Sequence, residues 1–167
     1  MAALRQVFLG AMRRLEGGAE WSCRAALAVM AALVLLQVVL RYGFRAPLVW
    51  AEEASVFLMI WVTFIGSGIA IRRRAHIAMA VVADRLRPGL ARAVSAFSGA
   101  AIVAFLSVVA WQGFLLAAFV HDQPSPAMRV PMVWPYLAIP VGALFMIGQV
   151  LADAVERANE RASPGRG

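Results

Sequence analysis

Apolar residues in this chain gather into long blocks instead of stripes or alternations. Four blocks stand out, at about Ala25–Leu40, Ala54–Ile71, Val94–Val120 and Val133–Leu151. A helix rises 1.5 Å per residue, so about 20 apolar residues cross a hydrocarbon core. With their flanks, the blocks predict four membrane-spanning helices at about residues 22–41, 52–72, 93–120 and 133–152, the first extended through the interface by Trp21, Ser22 and Cys23. The third block exceeds bilayer thickness and implies tilt or protrusion.

The polar segments between the blocks set the connections. Residues 1–20 place Val7, Phe8, Met12 and Leu15 among Arg5, Arg13 and Arg14. That pattern reads as a short amphipathic helix on the cytoplasmic surface or as a frayed tail, with Gly17-Gly18 breaking the segment. Pro47 in the short loop after Arg41 predicts an antiparallel hairpin of spans one and two. Pro88-Gly89 punctuates the longest connection, and Pro124, Pro126 and Pro131 predict a stiff turn that cannot be helical throughout. Pro135 falls in the opening turn of span four and costs little, whereas Pro140 predicts a kink. Residues 158–167, ending Ser-Pro-Gly-Arg-Gly, read as a disordered tail. No loop is long enough for a soluble domain. The chain reads as an all-α integral membrane protein, a single four-helix domain.

Composition agrees: the 167 residues are 62% hydrophobic and 15% charged, with a mean hydropathy of +0.76. The net charge of +7 raises the question of nucleic acid, but its placement answers it. Thirteen arginines lie ahead of the first apolar block, between the second and third, or after the fourth, and only Arg41, Arg45 and Arg129 lie on the other side. This positive-inside bias predicts cytoplasmic termini and assigns the arginines to topology and anionic lipid, with no nucleic-acid partner. The single cysteine, Cys23, excludes an internal disulfide and any multi-cysteine metal site. Leu40 is followed by Arg41-Tyr42-Gly43-Phe44, which lacks the small-x-small pattern of a signal cleavage site, so the first span reads as retained.

Candidate chemistry is confined to the span ends. Glu52 and Glu53 fall at the external N-terminus of span two, where a helix favours negative charge, and Arg41 and Arg45 are close in sequence. We therefore expect an Arg–Glu pair at that interface. On a helical wheel, Glu52, Ser55, Met59, Thr63, Gly66 and Ala70 share one side of span two, while Trp50, Phe57, Trp61 and Phe64 occupy much of the other. The small-residue stripe of Ser55, Thr63, Gly66 and Ala70 is expected to pack on another helix, the competing reading being a substrate path. The aromatic side is left to lipid or to a second membrane protein. Gln37, Gln112 and Gln149 are expected to form interhelical hydrogen bonds.

No Asp, Glu, Lys or Arg falls within the four apolar blocks. A pump or antiporter needs such a group or a broken helix lining a cavity, so the chain is not suited to move an ion alone. His76 and His121 fall on opposite sides of the bilayer and cannot share one haem iron. Nucleophile–base sets, phosphate loops and metal spacings are missing, and we expect neither enzyme activity nor a cofactor.

The run from Arg41 through Pro47, Leu48 and Trp50 to Glu52-Glu53 resembles the first-loop signature of a known family. It is that of the small membrane subunit of tripartite ATP-independent periplasmic (TRAP) transporters, the DctQ type. The likeness continues through Trp61 and Gly66, the arginines, His76-Ile77, and Asp84-Arg85-Leu86 before Pro88. Arg74 and Ala80 depart from the family pattern, which would have a glycine and an acidic residue there. The resemblance implies a four-helix scaffold in the bacterial inner membrane, beside a large membrane subunit holding substrate and sodium sites. A periplasmic substrate-binding protein would deliver an organic acid, driven by a sodium gradient. Arg41, Arg45, Pro47, Trp50, Glu52 and Glu53 would then shape the external loop and partner interface. Arg72, Arg73, Arg74 and His76 would meet lipid or the large subunit at the cytoplasmic interface. The competing function is a stand-alone small transporter working as a homo-oligomer; a haem-bearing redox subunit is a weaker third.

Overall fold

The computed structural model describes the backbone of residues 2–83 and 88–162, and the side chains of 6–71, 89–91 and 93–158. Its helices are α1 (Ala2–Gly43), α2 (Val49–Ala83), α3 (Pro88–Phe119), the short α4 (Val133–Tyr136) and α5 (Ala138–Ala162). Four of these segments are long and apolar enough to cross a membrane, with α4 and α5 together forming the fourth.

The helices overrun the apolar blocks. The first is a continuous rod of 42 residues, so residues 2–20 form neither a separate surface helix nor a frayed tail. Two mid-helix glycines cost about 0.5–1 kcal/mol each relative to alanine, yet Gly17 and Gly18 do not break α1. Contacts on both sides of them hold the rod: Arg24 pairs with Glu20 at 3.1 Å, Arg13 reaches Glu156 of α5 at 3.2 Å, and Met12 lies against Gly148. At the other terminus, α5 runs on to Ala162, so the expected disordered tail is helical from 158 to 162; residues 163–167 lie outside the described residues. Pro88 opens α3 at a position where its missing N–H is no loss.

The predicted kink in the fourth span takes the form of an interruption at Leu137. Pro140 has no N–H to offer the Tyr136 carbonyl, so the ladder fails one turn earlier. Hydrogen bonds close around the gap, from Leu137 N–H to Val133 O at 2.9 Å and from Val141 N–H to Leu137 O at 3.2 Å.

The helices are arranged as an open row, α1–α2–α5–α3. Helix α5 packs along both α2 and α3, and α1 packs along α2; α2 and α3 barely approach, and among the described residues α1 and α3 do not. Burial follows this order. Within the hydrophobic windows, 44% of the fourth span is buried inside the chain, 11% of the second and third, and none of the first. The core is accordingly small, comprising Leu106 and Ala110 of α3 with Ala143 and Met146 of α5, flanked by Phe64 and Ile71 of α2.

Reciprocal size matching fixes the α2–α5 crossing. Phe64 lies over Gly142, where an added Cβ would sit 2.5 Å from the Phe64 Cβ, and Phe145 lies over Gly68, where an added Cβ would sit 2.4 Å from the ring. Each helix thus offers one large side chain and one gap. Chains in lipid gain helix association from such packing because burial of apolar area supplies little there.

Candidate functional site at the loop end

Two loops meet at the end of the row opposite the termini. The first closes α1: the Leu40 carbonyl accepts hydrogen bonds from Phe44 N–H and Ala46 N–H, both at 3.1 Å, and Arg45 adopts a left-handed φ of 55°. The Ala46 bond reaches back six residues and encloses the left-handed Arg45, so the helix stops at a position where glycine is usual and arginine stands here. Arg45→Gly should keep the thermal midpoint of the purified protein or raise it, whereas Arg45→Val should lower it, since β-branched residues strongly resist positive φ. Pro47 and Leu48 then lead into α2, where Ala51 is fully buried and Trp50 is 44% exposed.

The second loop, between α3 and α4, folds back on itself. Pro124 and Pro131 face each other as an isolated bridge, with Ser125 N–H to Val130 O at 2.8 Å and Met132 N–H to Gln123 O at 2.9 Å. Its tip turns two amides, Ala127 N–H and Met128 N–H, onto one carboxylate oxygen, Oε2 of Glu53, at 3.0 and 2.8 Å. The Ser125 side chain lies beside this carboxylate. Glu53 therefore ties the start of α2 to the loop that precedes α4. The expected Arg–Glu pair is not formed: among the described residues no ion pair joins Glu52 or Glu53 to Arg41 or Arg45. Backbone amides already fixed by three prolines offer a donor pair at lower entropic cost than two long, solvated arginines. Arg41, Arg45, Pro47 and Glu52 are exposed, as is Arg129. They share this end with exposed aromatics, Tyr42 and Phe44 of the first loop and Trp134 of α4.

Within α2 the two predicted faces trade roles. The aromatic side supplies Phe64 to the α5 crossing. The stripe looks out of the row instead: Thr63 and Ala70 are exposed, Ser55 is half-buried, and an added Cβ on Gly66 would meet nothing within 4 Å. The expected intramolecular packing of Ser55, Thr63, Gly66 and Ala70 is thus corrected. Small size is needed only opposite a large side chain, and α5 places Phe145 over Gly68, not over Gly66. The stripe's hydroxyls are internally satisfied, with Ser55 Oγ donating to Ala51 O at 2.8 Å and Thr63 Oγ1 to Met59 O at 2.7 Å. The surface is suited to contact more than to conducting a polar solute.

Comparison with known proteins decides the family. Residues 30–160 match the family model described as tripartite ATP-independent periplasmic transporters, DctQ component. The chain belongs to the DctQ family. A chain of Haemophilus influenzae assigned as a TRAP transporter small permease protein is 41% identical over 69 residues, 41% of this chain and 43% of that one. The C4-dicarboxylate TRAP transporter small permease protein DctQ of Rhodobacter capsulatus is 31% identical over 109 residues, 64% of this chain and 48% of that one. The isethionate TRAP transporter permease protein DctMQ of Oleidesulfovibrio alaskensis is 29% identical over 110 residues, 65% of this chain but 17% of that much longer protein. The chain thus spans less than half the length of these relatives. With its four apolar helices, this DctQ chain is a multi-pass membrane protein and a component of a transport system, not an enzyme.

Other site residues of the DctQ chain divide sharply. The side chains of Arg72, Arg73, Arg74 and His76 lie outside the described residues. Gln149 is fully buried, whereas Gln112 is exposed on α3. Sequence reasoning missed a polar seam at the termini end. Asp153, 7% exposed, pairs with Arg157, whose Nη1 donates to Ser95 Oγ of α3 at 3.4 Å. The signal was present in the four-residue spacing of Gln149, Asp153 and Arg157, which puts all three on one helix face. It fell beyond the predicted span end at residue 152.

Proposed function

We propose that this chain is the small, non-transporting membrane subunit of a TRAP-type transporter of the bacterial inner membrane. In this reading both termini are cytoplasmic, as the arginine distribution favours, and the loop end faces the periplasm. A large membrane subunit carries the substrate and sodium sites, and the small subunit holds its fixed part. The exposed arginines and aromatics of the loop end help dock a periplasmic binding protein, and an organic acid is the imported solute.

One observation carries the reading: among the described residues the four spans form an open row in which α1 and α3 do not meet. Such a layer has two broad apolar faces and no interior path. The small stripe of α2 is the surface best suited to a partner helix, since it is smooth, has no unmet hydroxyl donor and is not used inside the chain. The isethionate permease supports the same assignment, because there the matching sequence is a small part of a longer permease protein. The homo-oligomer reading gains no comparable support.

Purification in mild detergent from the native operon tests this. The chain should retain a larger multi-span partner. Gly66→Leu should keep wild-type helicity but cut the retained partner roughly tenfold, equivalent to ~1.4 kcal/mol of interface energy. A chain that purified alone and moved an organic acid into liposomes would sink the proposal. Undiminished partner retention in Gly66→Leu would remove the α2 stripe from the interface.

A further inference from the structure

The scaffold role leaves one built feature unused. Near the termini end, α3 and α5 enclose a groove of about 410 Å³ on the flank of the row, walled by Ser95, Gly99 and Val103 on one side and Val150, Asp153 and Arg157 on the other. Its polarity is graded. The polar groups sit at one end, and the rest of the wall is apolar or small. From Ser95 to Val103 the groove runs about 12 Å along α3, close to the roughly 15 Å of one leaflet's hydrocarbon.

At the polar end, Arg157 binds Oδ2 of Asp153 and the hydroxyl of Ser95. The other carboxylate oxygen, Oδ1, is buried and has no hydrogen-bond partner among the described residues. A buried charged oxygen without a donor is costly. Among the described residues the site is therefore short of a hydrogen-bond donor, beside a guanidinium and above an apolar channel one leaflet deep.

We propose that the groove holds one phospholipid with a primary-ammonium head group. One of its acyl chains lies along Gly99, Val103 and Val150, its phosphate sits on Arg157, and its ammonium donates to Asp153. The Asp153–Arg157 pair is net neutral, so it matches a head group carrying both signs. An anionic head group would meet the carboxylate as well as the guanidinium. A choline head group has no N–H to give, whereas a primary ammonium has three. A partner's spanning helix fits less well, because the channel ends after a single leaflet and a crossing helix stays apolar on both sides of it.

The test uses the purified chain alone, so its outcome is independent of the scaffold assignment. Phosphatidylethanolamine, phosphatidylcholine and phosphatidylglycerol with identical acyl chains are added separately, and thermal midpoint and lipid retention in native mass spectrometry are read. The ethanolamine lipid should bind about tenfold more tightly than either of the others. Gly99→Leu should abolish that binding without unfolding the chain, because a Cβ at Gly99 meets nothing within 4 Å and the new side chain fills the groove. Asp153→Asn should erase the preference for ethanolamine over choline. Equal binding of the three lipids, or a preference for the glycerol lipid, overturns the proposal. So does a Gly99→Leu chain that binds the ethanolamine lipid as tightly as the wild type.

Discussion

Gly142→Leu is expected to be the most damaging single substitution in the apolar part of the chain. Even the first added carbon would lie 2.5 Å from the Phe64 Cβ and 3.2 Å from the Phe64 carbonyl carbon. The second contact is with backbone, so a rotamer change in Phe64 does not relieve it, and the two helices must separate. Overpacking a rigid core costs about 1–3 kcal/mol and occasionally more, and here separation also undoes Phe145 over Gly68. We expect a loss of at least ~3 kcal/mol in unfolding free energy, read as a large fall in thermal midpoint in detergent. Phe64→Ala in the same chain should restore part of it, since the two side chains then share one volume. A Gly142→Leu protein melting with the wild type would disprove the crossing. Gly66→Leu, two residues from Phe64 on the same helix, serves as control.

The second large effect is expected at the loop end. Glu53→Ala removes the shared acceptor of Ala127 N–H and Met128 N–H, and no other described group accepts these amides. Hydrogen exchange at the two positions should quicken by roughly tenfold or more, since local opening governs exchange there, while the bridge between Pro124 and Pro131 weakens behind them. Glu52→Ala, on the exposed side of the same turn, should leave exchange unchanged. Arg41→Ala and Arg45→Gly should do likewise, because neither arginine touches the carboxylate. Unchanged protection of Ala127 and Met128 in Glu53→Ala would show that the loop is held by its own hydrogen bonds alone. If the loop end docks a binding protein, the same variant should weaken docking.

Much of this architecture is written plainly in the residues. Block length gives the four helices, because the bilayer imposes a length that composition alone can meet, and the run from Pro47 to Glu53 gives the family. Packing partners are less legible. Which face of α2 turns inward depends on where Gly142 and Phe145 fall on a helix some eighty residues away, and a wheel drawn for α2 alone cannot see them. The small stripe therefore reads as the buried side when Phe64 is. Glu53 shows the same limit. Arg41 and Arg45 are its charged neighbours in sequence, yet its partners are backbone amides, which every residue but proline carries and no pattern marks. Gly17-Gly18 reads as a break because glycine weakens a helix locally, while Arg13 and Met12 gain their anchors from the far terminus.

The central place of α5 has a consequence for how the protein is made. Translation delivers the N-terminus first, so the helix that both α2 and α3 lean on reaches the membrane after all the others. Until then the α1–α2 hairpin and α3 drift as separate pieces, joined by a peptide connection and very little contact. A ribosome that stalls before Val133 leaves the hairpin and α3 in the lipid without the helix on which both pack.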